Sequence, residues 1–208
     1  MLYLMRKEID HDNSRVIYDE VITEETLKRD WNIYNGDWWV EKGWLTGRNP
    51  NNCPSMVVSK GDFPGNVMVE FEAKTVLPST HDINFMWSGS WDKEKNERDV
   101  AYVIGVQGWW EGKVGFEKSP DYKLNVATKL FNFEPGKTYH IMGGSIDGHC
   151  FVFIDGKLAL EVTDPDPIDT EKCAKVGFEA YCSHIQIKNI KIRQIKWNAR
   201  ELSYTPEF

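Results

Sequence analysis

The residues of this chain that could do chemistry gather between positions 81 and 118. His81 and Asp82 are adjacent, Asn84 follows two residues on, and Arg98, Tyr102, Gln107, Trp109, Trp110, Glu111 and Glu117 complete the group. An imidazole beside carboxyls can move protons near neutral pH, and two carboxyls flanking a glycosidic bond can hydrolyse it. Planar groups such as Asn84, Gln107 and Arg98 match sugar hydroxyls, while indole rings match the apolar faces of pyranoses. The candidate catalytic residues are His81, Glu111 and Glu117. The candidate ligand contacts are Asn84, Trp87, Trp91, Arg98, Tyr102, Gln107, Trp109 and Trp110. Each has a plainer reading beside it: tryptophans are highly buried on average, a lone histidine is more often structural, and Glu111 and Glu117 could be solvated hairpin charges.

The tryptophans carry the most weight. Eight of the nine fall between Trp31 and Trp110, with adjacent pairs at Trp38-Trp39 and Trp109-Trp110. Neighbours on a strand face opposite sides, so one ring of Trp109-Trp110 should face away from a core. Trp31, Trp38, Trp39 and Trp44 sit in an irregular early segment and are expected to pack one end of the fold. Trp87, Trp91, Trp109 and Trp110 are expected to meet a carbohydrate ligand.

The elements that must position these residues read as β-structure. Thr138 to Val162 (TYHIMGGSIDGHCFVFIDGKLALEV) is three strand-like runs separated by Asp147-Gly148 and Asp155-Gly156, the strongest short hairpin signal. Asn66 to Val76 alternates apolar and polar residues, as a strand with one wet face does. Along Ile83 to Ser88 the set Asn84, Met86 and Ser88 shares one face, and Ile83, Phe85 and Trp87 share the other; only one set can face a cleft. In the run AKVGFEAYCSHIQIKNIKIRQIKW, Ile185 and Ile187 have one parity while Ile190 and Ile192 have the other, which predicts a bulge near Lys188-Asn189. The one helix-like stretch is Thr23 to Asp30, with Thr23 as N-cap. Short strands with regular turns and one short helix near the N-terminus predict an all-β, two-sheet antiparallel jelly-roll sandwich, and 208 residues suit a single domain spanning 1–208.

The C-terminal third, FVFIDGKLALEV followed by a proline-rich loop and KVGFEAYCSHIQIKNIKI, resembles the concanavalin A-like lectin/glucanase superfamily. Its nearest branch by pattern resembles the bacterial 3-keto-disaccharide hydrolase domain, whose mid-chain strand would correspond to Ala101 to Gln107. The chain departs from that branch at His81 to Trp87, where an Asn-Ser-Gly type of segment is usual, and at Ile104, where an acid is expected. The resemblance implies a ligand surface on the concave face of one sheet. Glu8-Ile9-Asp10 matches part of a family 16 glycoside hydrolase motif, but position 13 is Asn and the segment lies at the extreme N-terminus.

Several functions find no support. Lys and Arg number 25 against 32 Asp and Glu, a net charge of -7, so no basic surface offers itself to nucleic acid. No apolar run approaches the roughly 20 residues that cross a bilayer, and an N-terminus that turns charged after five residues lacks a signal-peptide core, so no membrane partner and a cytoplasmic location are expected. Cys53, Cys150, Cys173 and Cys182 lack metal-site spacing and read as structural thiols. No metal ligand set or cofactor motif is present. Asp164, Asp166 and Asp169 in the proline-rich loop are the donors a structural calcium would use, and equally a solvated turn. Three readings stay open: an intracellular glycoside hydrolase or lyase, a non-catalytic lectin-like module, and an assembly protein whose exposed aromatics form a homo-oligomer interface.

Overall fold

The computed structural model describes residues 1–51, 54–108, 112–129 and 132–201. The chain begins with β1 (Leu2–Tyr3), β2 (Lys7–Ile9) and β3 (Arg15–Asp19), followed by α1 (Glu24–Asp30). Next come β4 (Trp31–Tyr34), β5 (Asp37–Glu41), β6 (Trp44–Asn49), β7 (Ser55–Ser59) and β8 (Val67–Thr75). The middle of the chain holds β9 (Ile83–Gly89), β10 (Trp91–Asp92), β11 (Glu97–Arg98), β12 (Ala101–Val106), β13 (Val114–Ser119) and β14 (Asn125–Thr128). The last strands are β15 (Tyr139–Ile146), β16 (His149–Ile154), β17 (Lys157–Thr163), β18 (Lys175–Ala180), β19 (Ser183–Gln194) and β20 (Trp197–Ala199).

Two antiparallel sheets form the jelly-roll sandwich. One has the order β14-β13-β12-β9-β18-β7-β4, and the other β17-β16-β15-β8-β19-β6-β5 with β3 added on β19. Successive strands such as β8 and β9, or β18 and β19, belong to opposite sheets, which is how the sequence closes the two layers on one core. The local chemistry explains the elements. Asp147 and Gly148 take φ of 50° and 77°, Asp155 and Gly156 φ of 49° and 75°, as the hairpins joining β15, β16 and β17 demand. The register of β19 on β8 shifts between Lys188 and Lys191, with Asn189 at φ 54°, so all four isoleucines of β19 stay buried despite their change of parity. Thr23 caps α1 through a reciprocal pair: its hydroxyl accepts from the Thr26 N–H, and the Thr26 hydroxyl accepts from the Thr23 N–H.

The core lies between the sheets and is rich in aromatics. Phe71 meets Phe85 at 4.9 Å and Phe178 at 5.0 Å, both edge to face. Gly143 allows the sheets to close there, since a Cβ would stand 2.5 Å from the Phe85 ring. Two expected ligand contacts belong to this core instead. Trp87 is 0% exposed and donates to Ser145 Oγ at 3.0 Å; Tyr102 is 1% exposed, donates to Asp164 Oδ2 at 2.8 Å and accepts from the Ile168 N–H. Both lie on the inward parity of their strands, so neither can touch a ligand on the outer surface.

Both outer faces are partly covered. β1, β2 and β20 form a small sheet whose Leu4 and Ile9 pack with Met68, Met142, Phe151 and Phe153. On the seven-stranded sheet, Met56, Val58, Met86, Ala101 and Val103 form a buried apolar patch beneath Tyr34 and Trp91. The β10–β11 hairpin lies over this patch as a strap. Trp91 stacks on Tyr34 at 4.1 Å, and Asn96 near the hairpin's tip bonds Asn35 beyond β4. If Trp87 serves the core, Trp87→Ala will lower unfolding free energy by about 3–5 kcal/mol in denaturant titration. A loss below about 1 kcal/mol would place the ring outside the core.

Candidate functional site

The outer face of the seven-stranded sheet follows from strand parity. Ile83, Phe85 and Trp87 turn inward, so Asn84 turns outward; Val176, Phe178 and Ala180 turn inward, so Glu179 turns outward; Val114 and Phe116 turn inward, so Glu117 turns outward. Register lines these up across four strands. Gly115 opposes Gly105, Gly105 opposes Asn84, and Asn84 opposes Glu179, while one step along Glu117 opposes Val103. Two glycines between Asn84 and the sheet edge leave a trough in this face.

Arg98, carried in by the strap, crosses that trough. Its Nη1 donates to Glu179 Oε2 at 2.6 Å, its Nη2 to Glu117 Oε1 at 2.9 Å, and its Nε to Ser119 Oγ at 3.3 Å. The side chain is 10% exposed and each glutamate 5%. Burial opposes the arginine's charge, but the Glu179 and Glu117 carboxylates raise its pKa above the usual value. Glu117 responds the other way. Burial raises it to about 7 against the pull of Arg98, and the charge of Glu179 adds to the rise.

Asp82 completes the cluster from the loop before β9. It sits at φ 75°, with its N–H donating to the Gln107 carbonyl at 3.1 Å and its own carbonyl accepting from Ser183 Oγ at 3.3 Å. Burial first, and the charge of Glu179 second, raise its carboxyl to about 7. Gly105 and Gly108 make room for the two polar side chains: a Cβ at Gly105 would stand 2.8 Å from Asn84 Oδ1, and one at Gly108 2.9 Å from Asp82 Oδ1. These groups line a cavity of about 490 Å³, with His81, Tyr122 and Tyr181 also in its wall. Asp82 Oδ1, Asn84 Oδ1 and Glu117 Oε2 are buried without a hydrogen-bond partner among the described residues. Three orphaned acceptors in one cavity call for a donor-rich occupant.

The expected site residues thus divide. Asn84, Arg98 and Glu117 come together here, and His81 is exposed in the same wall. Gln107 acts through its backbone, at φ 59°, accepting from Asp82 and donating to Lys113. Trp91 lies across the strap, in a second cavity of about 420 Å³ beside Tyr34. Trp109, Trp110 and Glu111 lie outside the described residues. Glu179 was not expected; the signal for it is an acid at outward parity inside the otherwise apolar run VGFEAY. The proline-rich loop does not fit a calcium: the Lys118 ammonium stands 2.8 Å from Asp164 Oδ2, which Tyr102 also bonds, and Asp164 Oδ1 accepts from the Asp166 N–H. Among the described residues no group of three or more His, Cys, Asp or Glu is arranged to hold a metal ion. Cys150 and Cys173 are free thiols, and among the described residues no helix is long and apolar enough to cross a membrane.

No family model matches this sequence. Among curated proteins no sequence match was found. Solved structures do match by shape. A Bacillus subtilis protein of unknown function with a galectin-like fold aligns at TM-score 0.68 and 15% identity, over 86% of this chain and 96% of that one. The carbohydrate-binding module CBM66 from Bacillus subtilis aligns at 0.63 and 16%, over 78% and 94%. The Bacillus licheniformis β-glucanase aligns at 0.59 and 11%, over 87% and 98%. The fold is therefore the concanavalin A-like jelly roll of lectins and glucanases.

Two outcomes test the site as described. An acid whose folded pKa is raised stabilises the protein below its unfolded pKa, and that contribution is lost as pH rises to the folded value. For Asp82 the window runs from the unperturbed 3.8 to about 7. Asp82→Asn should raise Tm by several degrees at pH 8 and leave it unchanged near pH 4, on the order of 2–4 kcal/mol; equal Tm differences at both ends would refute the raised pKa. Arg98→Ala strands two buried carboxylates and should cost about 3–5 kcal/mol at neutral pH. Limited proteolysis should then open the 91–99 strap, whereas an intact strap would show that Arg98 does not anchor it.

Proposed function

We propose that the cavity on the outer face of the seven-stranded sheet binds a neutral glycoside, and that its carboxyls act on it. The observation that carries this reading is the set of three buried acceptors without donors, Asp82 Oδ1, Asn84 Oδ1 and Glu117 Oε2. Sugar hydroxyls are O–H donors in the close spacing such a set requires. Tyr122 and Tyr181 in the cavity wall supply ring faces for the apolar side of a pyranose. The preference for a neutral sugar follows from charge. Arg98 spends both terminal nitrogens on Glu179 and Glu117, so among the described residues lining the cavity no lysine or arginine is left to meet a uronate or sulfate among three acids.

The same groups are suited to chemistry. Two carboxyls held near neutral proton affinity can trade a proton at physiological pH, which an ordinary carboxylate cannot. The likeness in fold to a β-glucanase and to a carbohydrate-binding module supports a sugar ligand and is even-handed about cleavage.

The test is a calorimetric screen of neutral gluco-, galacto- and xylo-oligosaccharides against uronate and sulfated chains, followed by product analysis on any that bind. Neutral ligands should bind and anionic ones should not. Asn84→Leu should weaken binding about 10- to 100-fold, the equivalent of a lost buried hydrogen bond. Silence across the neutral panel, or binding indifferent to Asn84→Leu, would refute the site. Binding without turnover would leave a lectin-like module.

A further inference from the structure

We propose that Asp82 is the proton donor of this cavity, its carboxyl protonated in the resting protein and bonded to Asn84, so that the acid is this buried residue and not its exposed neighbour His81. The placement of the proton stands on the ligand-free geometry alone; the role in cleavage rests on the glycoside reading above.

The geometry leaves two acceptors facing one gap. A Cβ at Gly108 would lie 2.9 Å from Asp82 Oδ1 and 3.8 Å from Asn84 Oδ1, so the two oxygens converge on the space that Gly105 and Gly108 keep clear. Both oxygens are buried, and neither has a donor among the described residues, although the Asn84 side chain also hydrogen-bonds the Asp82 carboxyl and so opposes the rise in its pKa. An amide oxygen cannot carry a hydrogen, whereas a carboxyl can; in the ligand-free cavity one proton on Asp82 turns two unsatisfied acceptors into one hydrogen bond, which an entering sugar hydroxyl replaces by donating to Asn84 Oδ1. The charged groups around it favour that proton. Glu179 and Glu117 face Asp82 from β18 and β13, and Arg98, the cation among the described residues that opposes them, is bound by both. The backbone fixes where the carboxyl stands: Asp82 sits at a positive φ held by the bonds of its backbone to Gln107 and Ser183.

The chemistry that follows is balanced. As the bond from the anomeric carbon to the glycosidic oxygen breaks, its electron pair stays with the oxygen and the Asp82 proton joins it, releasing a neutral alcohol. Water adds to the anomeric carbon and gives its proton to Glu117, whose Oε2 is open while Arg98 holds Oε1. Solvent returns that proton from Glu117 to Asp82, and the net change is addition of one water across the bond.

Asp82→Asn is the discriminating variant, because asparagine tolerates positive φ and keeps the shape. Infrared spectra of protein carrying carbonyl-labelled aspartate should show a protonated carboxyl near pH 6 that titrates away above neutrality and is missing from Asp82→Asn. With substrate, the variant should lose about 10²–10⁴-fold in kcat/KM on glycosides with alkyl or sugar leaving groups. It should lose less than about tenfold on glycosyl fluorides, whose departure needs no proton. A carboxyl band absent from the parent or persisting in the variant overturns the proton placement whether or not any sugar binds, and reveals an Asn84 amide turned to donate to an ionised Asp82. Equal losses on both leaving groups overturn the acid role. Saccharide binding with no cleavage by the parent also overturns the acid role while leaving the saccharide-binding half of that reading standing.

Discussion

The buried Arg98 between Glu117 and Glu179 is the interaction on which the outer face of this protein depends. An arginine at 10% side-chain exposure is tolerable only with its charge met, and two glutamates at 5% are tolerable only with a cation between them. Neither half is stable in its place without the other. The strap therefore cannot lie over the sheet unless β13 and β18 present their acids outward, and those acids cannot be buried unless the strap delivers Arg98. Replacing the triad by apolar residues would cost the fold little by general precedent, so its presence is weak evidence for a role in stability. The residual asymmetry supplies a reason: one cation shared by two acids, with a third acid beside them, leaves the cluster short of positive charge and holds protons where they can be used.

The strap also sorts the surface. Trp91 and Tyr34 seal the apolar patch of Met56, Met86 and Val103 at one end, and Arg98 closes the polar trough at the other. A hairpin of only two paired positions, Trp91 with Arg98 and Asp92 with Glu97, has little stability of its own. Its order comes from these two anchors, one apolar and one ionic. The cavity of about 490 Å³ exists because the anchors stand apart and the glycines between them carry no side chains.

Much of the fold was legible because it is written in local chemistry. The Asp-Gly turns, the alternation of β8, the Thr23 cap and the parity change at Asn189 each announce their geometry within a few residues, and each holds in the structure. The site was legible only in part, since it is assembled by register between distant strands. Asn84, Arg98 and Glu117 have the types a sugar site needs and were readable as such. Their meeting was not, because Glu117 and Glu179 are 62 positions apart in sequence and come together only through an arginine on a third element. The aromatic count misled for a physical reason. An indole or phenol is as valuable to a core as to a cleft, provided its polar atom finds a partner, and Ser145 satisfies Trp87 just as Asp164 satisfies Tyr102. Only the face on which a residue stands decides between the uses, and for β9 the choice fell to Asn84.

The strained positions point the same way. Besides the turns before glycine at Asn35, Lys42, Asp147 and Asp155 and the β19 bulge at Asn189, positive φ falls on Asp82, Ser88, Asn96, Gln107, Tyr122 and Cys182, which lie on or beside the segments that frame the trough or the strap. Left-handed backbone in non-glycine residues costs free energy that the remainder of the fold must offset. Here the offset is the closely packed core on the opposite side of the same strands, where every inward residue of β9 and β12 is buried. The sandwich thus divides labour by parity. One face of each strand carries the stability that allows the other to hold unsatisfied acceptors, uncompensated acids and bent loops in one place.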